Sequence, residues 1–272
     1  MKNGLITRAD DFGSGQAANA AILEALAAGC LIRNVSCMAV GPALEQGAPE
    51  LARLCGNVDV GLHFTLNSEW DTVHWTPCAP KENIGALLDE RGQFYQTRQG
   101  LAQAHVPMEE ILLELNAQLE RLTALGLPVC YVDAHMAPDA SIPGLSGELR
   151  AWAADKGLLY VRDYYCFPPA GMPAFGPSET IYQKHVERWL DSFVEGAQYV
   201  YFQHPARLSD ETMAFSNGQF PPGVVAWERE LEYRSAISSV WNQRLRERDI
   251  ALLRYRDART PERQRNGIDT DF

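Results

Sequence analysis

The sequence predicts an α/β fold, a closed or nearly closed (β/α) barrel of about seven parallel strands. Three observations support this. Strand-like and helix-like runs alternate along the chain. Seven strand candidates fit within 272 residues. Polar side chains recur where strand runs end. In such barrels the chemistry lies at the carboxyl ends of the strands, so these polar positions form the candidate site.

The elements follow in order from the hydrophobic patterning. Strands are predicted at 4–9, 34–40, 58–66, 129–134, 158–161, 199–202 and 250–253. Helices are predicted at 17–28, 42–54, 107–126, 145–156 and 181–194, followed by one long helix through 233–245. We expect a single domain over residues 1–272. Its long loops 67–106, 163–180 and 205–226 should lie over the active-site rim, because loops of this length are often functional.

Composition narrows the class of partner. The formal net charge is −11 and the pI is about 5.0, and no basic cluster is present, so binding to nucleic acid is not expected. Six scattered cysteines form no C-x-x-C pair. No signal peptide and no apolar run long enough to span a membrane is apparent. We therefore expect a cytoplasmic protein with free thiols that acts on a small neutral or polar molecule.

Four groups of polar residues occur where apolar strand runs end: Asp10 and Asp11; His63; Asp133 and His135; and His204. Taken singly, a strand-end histidine is more often packed or solvent-facing, and paired aspartates often cap a helix. Together at separate strand ends they favour one joint site. Because Asp133 and His135 are two residues apart, their side chains should point the same way. One carboxylate with two imidazoles suits a catalytic divalent ion.

Such a site predicts hydrolysis. A bound metal ion lowers the pKa of its water toward about 7 and polarises a carbonyl group. Hydrolysis of an amide also needs a base that takes the proton of the water and an acid for the departing amine. Asp10 is the candidate base, and His204 is the candidate acid or oxyanion partner.

Several motifs resemble one known family, the YdjC-type carbohydrate deacetylases, which include chitooligosaccharide deacetylases. The motifs are the run Ile6 to Gly13, the run Gly61 to Leu66, Asp133-Ala134-His135, Arg162 and His204-Pro205. The resemblance implies a distorted (β/α) barrel and a metal-dependent deacetylase of N-acetylated sugars. It implies that Asp11, His63 and His135 bind the metal and that Asp10 is the base. Zinc or magnesium is implied, and the mixed oxygen and nitrogen ligands favour zinc.

The chain departs from the family pattern after His135. Further histidines usually follow there, whereas this chain has Met136 and Ala137, and a glutamate usual four residues before His204 is Val200. We therefore expect a small acetylated sugar as substrate and leave open whether it is the family's usual one, with Asp139 as the candidate to replace one lost polar contact. The predicted substrate-binding residues are Asp133, Asp139, Arg162, Trp70 and Phe12.

Other functions stay open at this stage. The same metal site could serve another hydrolase or a lyase acting on a sugar derivative. A catalytically altered carbohydrate-binding protein is a non-enzymatic alternative. A homodimer is one option for the assembly, because dimers are common among soluble enzymes.

Overall fold

A computed structural model describes residues 3–259. In this part of the chain, strands and helices alternate as predicted. The order is β1 (Asn3–Phe12), α1 (Gln16–Ala28), β2 (Asn34–Cys37), α2 (Leu44–Leu54), β3 (Asp59–Phe64), α3 (Arg98–Gln103), α4 (Met108–Ala124), β4 (Val129–Ala134), α5 (Leu145–Asp155), β5 (Leu159–Tyr160), α6 (Glu179–Asp191), β6 (Gln198–Gln203), α7 (Asp210–Met213), α8 (Val224–Ala236), α9 (Val240–Glu247) and β7 (Ile250–Leu253).

The strands form one parallel sheet in the order β5-β4-β3-β2-β1-β6, and β7 also pairs with β1. Strand β1 has ten residues, so its first half pairs with β7 and its second half with β2. The sheet curls into a half-barrel with helices around it, which confirms a distorted (β/α) barrel. Within residues 3–259 no ladder joins β5 to β6, so the barrel remains open at that side.

The helices begin and end where sequence signals place them. Helix α1 stops at Gly29, whose φ of 64° is the left-handed conformation that glycine adopts without strain. Helix α4 starts directly after Pro107 and buries Ile111, Leu115 and Leu122 on one face. Across residues 3–259, no helix combines the length and the apolar character required to cross a membrane.

Four helices differ from the prediction. The long late helix is two helices, α8 and α9, with a break between Ala236 and Val240. Near the break the indole N–H of Trp241 donates to the carbonyl of Ser235 at 2.9 Å, so that carbonyl has a side-chain partner. Short helices α3 and α7 lie inside the predicted loops, where the hydroxyls of Thr97 and Ser209 cap their first turns.

Candidate metal and catalytic centre

A local irregularity in β1 brings two adjacent carboxylates into one cleft. Successive side chains of a regular strand point to opposite faces. The register with β2 shifts between Ala9 and Phe12, and Asp11 has a φ of 65°. Such a left-handed conformation is uncommon for a residue other than glycine and is often kept at functional sites. As a result Asp10 and Asp11 both line the main cleft.

Three atoms from three strand ends converge beside this irregularity. His63 Nε2 lies 3.3 Å from Asp11 Oδ1. His135 Nδ1 lies 3.4 Å from the same oxygen and 3.2 Å from His63 Nε2. All three side chains are buried. The sequence prediction that these residues come together is thus matched by their placement.

The chemistry of this triad fits a divalent cation. Tetrahedral zinc has bonds of about 2.0–2.1 Å, which separates neighbouring ligand atoms by roughly 3.3–3.4 Å. Asp11 Oδ1 is buried, and its nearest polar neighbours are the two ring nitrogens at 3.3 and 3.4 Å, while its other oxygen accepts from Arg229 at 2.7 Å. These long contacts form no well-aligned hydrogen bond to Oδ1, and since buried polar atoms normally have close partners, this oxygen is best explained as a ligand atom.

Each imidazole is oriented by its own carboxylate. His63 Nδ1 lies 2.8 Å from Asp133 Oδ2. His135 Nε2 lies 3.0 Å from Glu69 Oε2. Metal-binding histidines commonly donate their second ring nitrogen to a carboxylate, which fixes the tautomer and the ring orientation. Asp133 therefore lies behind His63, and it does not line the cleft as a substrate-binding residue would.

A second group of possible ligands, Asp10, His63 and Asp133, overlaps the first. Here a guanidinium is already present. Arg8 Nε lies 2.5 Å from Asp10 Oδ1, and Arg8 Nη2 lies 3.0 Å from Asp133 Oδ2. Arg8 binds both oxygens of Asp10 and one oxygen of Asp133, whereas Arg229 binds only Oδ2 of Asp11, so the set that contains Asp11 is the better cation site.

The balance of charge points the same way. The cluster contains four carboxylates and two guanidiniums, namely Asp10, Asp11, Glu69, Asp133, Arg8 and Arg229. Burial alone would lower the pKa of His63, but Asp133, Asp11 and Asp10 together outweigh it and raise this pKa to about 10. For His135, Glu69 and Asp11 together outweigh burial, and the pKa rises to about 9. Two imidazolium protons thus supply the charge that one divalent ion would bring.

The candidate acid and base lie beside the triad. Burial would raise the pKa of Asp10, but Arg8 holds it below its usual value. Burial lowers the pKa of His204, whose Nε2 lies 4.0 Å from Asp10 Oδ2. Behind His204, Glu232 accepts its backbone N–H at 2.7 Å. Burial raises the pKa of Glu232 to about 8, so this carboxyl is mostly protonated at neutral pH.

Only some of the predicted substrate-binding residues line the cleft. Trp70 and Arg162 line the cleft. Asp139 accepts from Arg162 Nη2 at 2.7 Å and positions it without lining the cleft. Phe12 is a correction: its side chain is buried in the hydrophobic core against Gly47, because the irregularity at Asp11 turns the residue that follows inward.

Sequence reasoning missed several residues of the cleft. Glu69 lies in a loop, and Arg229 and Glu232 lie on α8. None of them stands at a strand end, which was the signal used. Arg229 and Glu232 are three residues apart, which places them on one helix face, but charged pairs at that spacing are common on exposed helices and do not indicate a site.

Comparisons with known proteins identify the family of this chain. The family model described as YdjC-like protein matches residues 4–247. A carbohydrate deacetylase of Thermoanaerobacter pseudethanolicus is 24% identical over 92% of this chain and 97% of its own length. A carbohydrate deacetylase of Listeria monocytogenes serotype 4b is 29% identical over 84% of this chain and 93% of its own length.

Two solved structures share the fold. A putative cellobiose-phosphate cleavage protein from Enterococcus faecalis aligns with a TM-score of 0.76 at 22% identity, over 94% of this chain and 98% of that chain. The catalytic domain of a peptidoglycan N-acetylglucosamine deacetylase from Eubacterium rectale aligns with a TM-score of 0.53 at 12% identity, over 96% of this chain and 92% of that chain. Since the family model covers most of the sequence, this chain belongs to the YdjC-like family of carbohydrate deacetylases.

Proposed function

We propose that this protein is a metal-dependent deacetylase that hydrolyses the amide of an N-acetylated sugar. The observation that carries the proposal is the convergence of Asp11, His63 and His135 in a cleft that also contains an acid–base pair. The names of the full-length relatives support the same reaction. The oxygen and nitrogen ligands and the atom spacing favour zinc over magnesium.

The residues divide the work between binding and proton transfer. A divalent ion held by the triad would polarise the acetyl carbonyl and make water more acidic. Asp10, kept ionised by Arg8, accepts the proton of the attacking water. Because two guanidinium N–H groups hold both of its oxygens, Asp10 keeps a fixed orientation.

The departing amine needs a proton, and His204 with Glu232 can supply it. With its lowered pKa, His204 is neutral at neutral pH and first has to collect a proton. Glu232 Oε2 lies 3.9 Å from His204 Nδ1, and this carboxyl holds a proton at that pH. We assign the role of the acid to His204. Glu232 supplies the proton that His204 then donates to the amine.

Acetate release tests the proposal. The purified protein is incubated with a panel of N-acetylated mono- and disaccharides while zinc, cobalt and magnesium are added in turn, and acetate is measured. We expect release with at least one sugar, highest with zinc or cobalt. Release of an aldehyde or of phosphate without acetate would favour a lyase or another hydrolase. Binding of a sugar without any product would favour a carbohydrate-binding protein.

The variant His63→Ala tests the dependence on metal, and His185→Ala is its matched control. His63→Ala removes one ligand of the triad, so bound zinc should be lost and turnover should fall by at least about a thousandfold. His185→Ala changes a half-buried histidine of α6 that lies outside the cleft, and it should keep both. Full turnover by His63→Ala without added metal would end the proposal.

A further inference from the structure

The main cleft, with a volume of about 770 Å³, has one strongly apolar wall. Its side chains come from the loop after β5 and from the end of β6. They are Tyr165, Phe167, Met172, Phe175 and Phe202. This wall lies at the side where β5 and β6 do not pair. It is therefore an apolar surface over the open side of the barrel.

The apolar wall extends down to the acid–base pair. The ring of Phe202 lies 6.1 Å from the ring of His204, and the guanidinium of Arg8 lies 5.4 Å from Phe202. Tyr165 and Phe167 continue the surface from Phe202, with ring centroids 6.5 and 6.2 Å away. A group that reaches the reacting atoms from this side therefore touches carbon along most of its length.

The cleft borders a second cavity of about 890 Å³. It lies over the ends of β3, β4 and β5. Beside apolar residues, its lining includes carboxylate, amide and hydroxyl side chains, and for these we call it the polar cavity: Asp71, Gln96, Gln99, Ser141, Asn217 and Gln219. Such groups offer both donors and acceptors to hydroxyl groups. Trp70 and Arg162 line both cavities and mark their junction.

This division matches the two sides of an amide bond. A sugar ring can stack one C–H face on an aromatic side chain, but its hydroxyl groups project from the ring edge and need polar partners, which the apolar wall offers only at the Tyr165 hydroxyl. In the polar cavity the same hydroxyl groups find donors and acceptors. The acyl group of the amide then points toward the apolar wall, and an acetyl methyl would cover only a small part of it.

We infer that the polar cavity holds the sugar and the apolar wall holds the acyl group, so that the protein hydrolyses amino sugars with acyl chains longer than acetyl. The inference rests on the proposed hydrolytic function. In the reaction the oxygen of water bonds to the acyl carbon, the C–N bond breaks and the nitrogen receives a proton. The products are a carboxylate of the same chain length and the free amino sugar.

A series of acyl lengths tests the inference. The probes are the N-acetyl, N-butanoyl and N-hexanoyl derivatives of glucosamine and of its β-1,4-linked disaccharide, with the zinc-loaded protein. We expect kcat/KM to rise with chain length by up to about fourfold per methylene, the value for full burial of a CH₂ group. A steady fall from acetyl onward would overturn the inference and leave the deacetylase proposal standing. Hydrolysis of none of the probes, acetyl included, would count against both.

Variants of the two sides separate their roles. Met172→Asp puts a charge into the apolar wall, so the loss in kcat/KM should grow with acyl length, whereas the apolar Met172→Leu should keep the wild-type trend. Gln219→Ala in the polar cavity should raise KM by the same factor for every acyl length and more for the disaccharide. An equal loss at all chain lengths in Met172→Asp would overturn the assignment of the wall.

Discussion

The floor and the walls of the cleft are built in different ways. Strand ends supply the floor, where Asp11, His63 and His135 are buried and each is held by a charged neighbour. Loops, helix α8 and the end of β6 supply the walls, and side chains such as Phe202 and Arg162 are only half-buried. A buried floor with paired charges keeps its geometry, whereas the walls have room to differ between relatives. The reaction thus depends on the floor, and the choice of substrate depends on the walls.

The largest expected effect concerns the charge of the floor. Because the pKa values of His63 and His135 lie at about 10 and 9 in the metal-free protein, both rings are protonated at neutral pH. A divalent ion has to displace both protons, so its affinity should rise by about tenfold per proton and per pH unit. Zinc affinity measured by competition with a chelator should thus increase up to about ten-thousandfold between pH 6 and 8.

Thermal unfolding of the metal-free protein gives an independent check. Its stability should fall as pH rises, whereas the zinc affinity should rise. Both folded-state pKa values are raised above the unfolded value of about 6.5. The folded state therefore binds more protons than the unfolded state above that pH, and stability falls as pH rises. The stabilisation is complete below pH 6.5 and is lost as pH rises through about 9 and 10.

One outcome of the zinc titration would contradict the charge balance. If the zinc affinity levels off above pH 7, the two imidazoles have ordinary pKa values.

A smaller effect distinguishes the base from the ligands within the floor. Asp10→Asn should lower turnover by about a hundredfold to ten-thousandfold, the usual contribution of a general base. Zinc affinity should change little, because Asp10 pairs with Arg8 and lies outside the triad. The measurements are kcat for acetate release and a zinc titration by calorimetry. Parallel losses of affinity and turnover would place Asp10 among the metal ligands.

The smallest effect compares the two carboxylates that orient the imidazoles. Glu69 belongs to a wall loop and Asp133 to the floor. Glu69→Gln and Asp133→Asn should each weaken zinc binding by about 10–100-fold. Only Asp133→Asn should also lower the melting temperature, because it leaves Arg8 with one ion-pair partner fewer. The control is Glu90→Gln, an exposed carboxylate outside the cleft. Equal melting temperatures for the two site variants would remove the distinction between floor and wall.

The same division explains how much could be predicted from the sequence. The strands, and the polar residues at their ends, follow from hydrophobic patterning, so Asp11, His63 and His135 could be placed together. Glu69, Arg229 and Glu232 reach the cleft through a loop and a helix, whose tertiary positions have no local signal. The open side between β5 and β6 follows from strand pairing, which the alternation of elements does not determine.

The left-handed backbone at Asp11 limits how the site can be transferred to another protein. A pair of aspartates grafted onto the end of a regular strand would direct one carboxylate to the cleft and the other to the opposite face. A design that borrows this centre has to copy the extra residue of β1 and its pairing with β2 together with the side chains. A search for similar centres in other folds should therefore look for an irregular strand end as well as for adjacent aspartates.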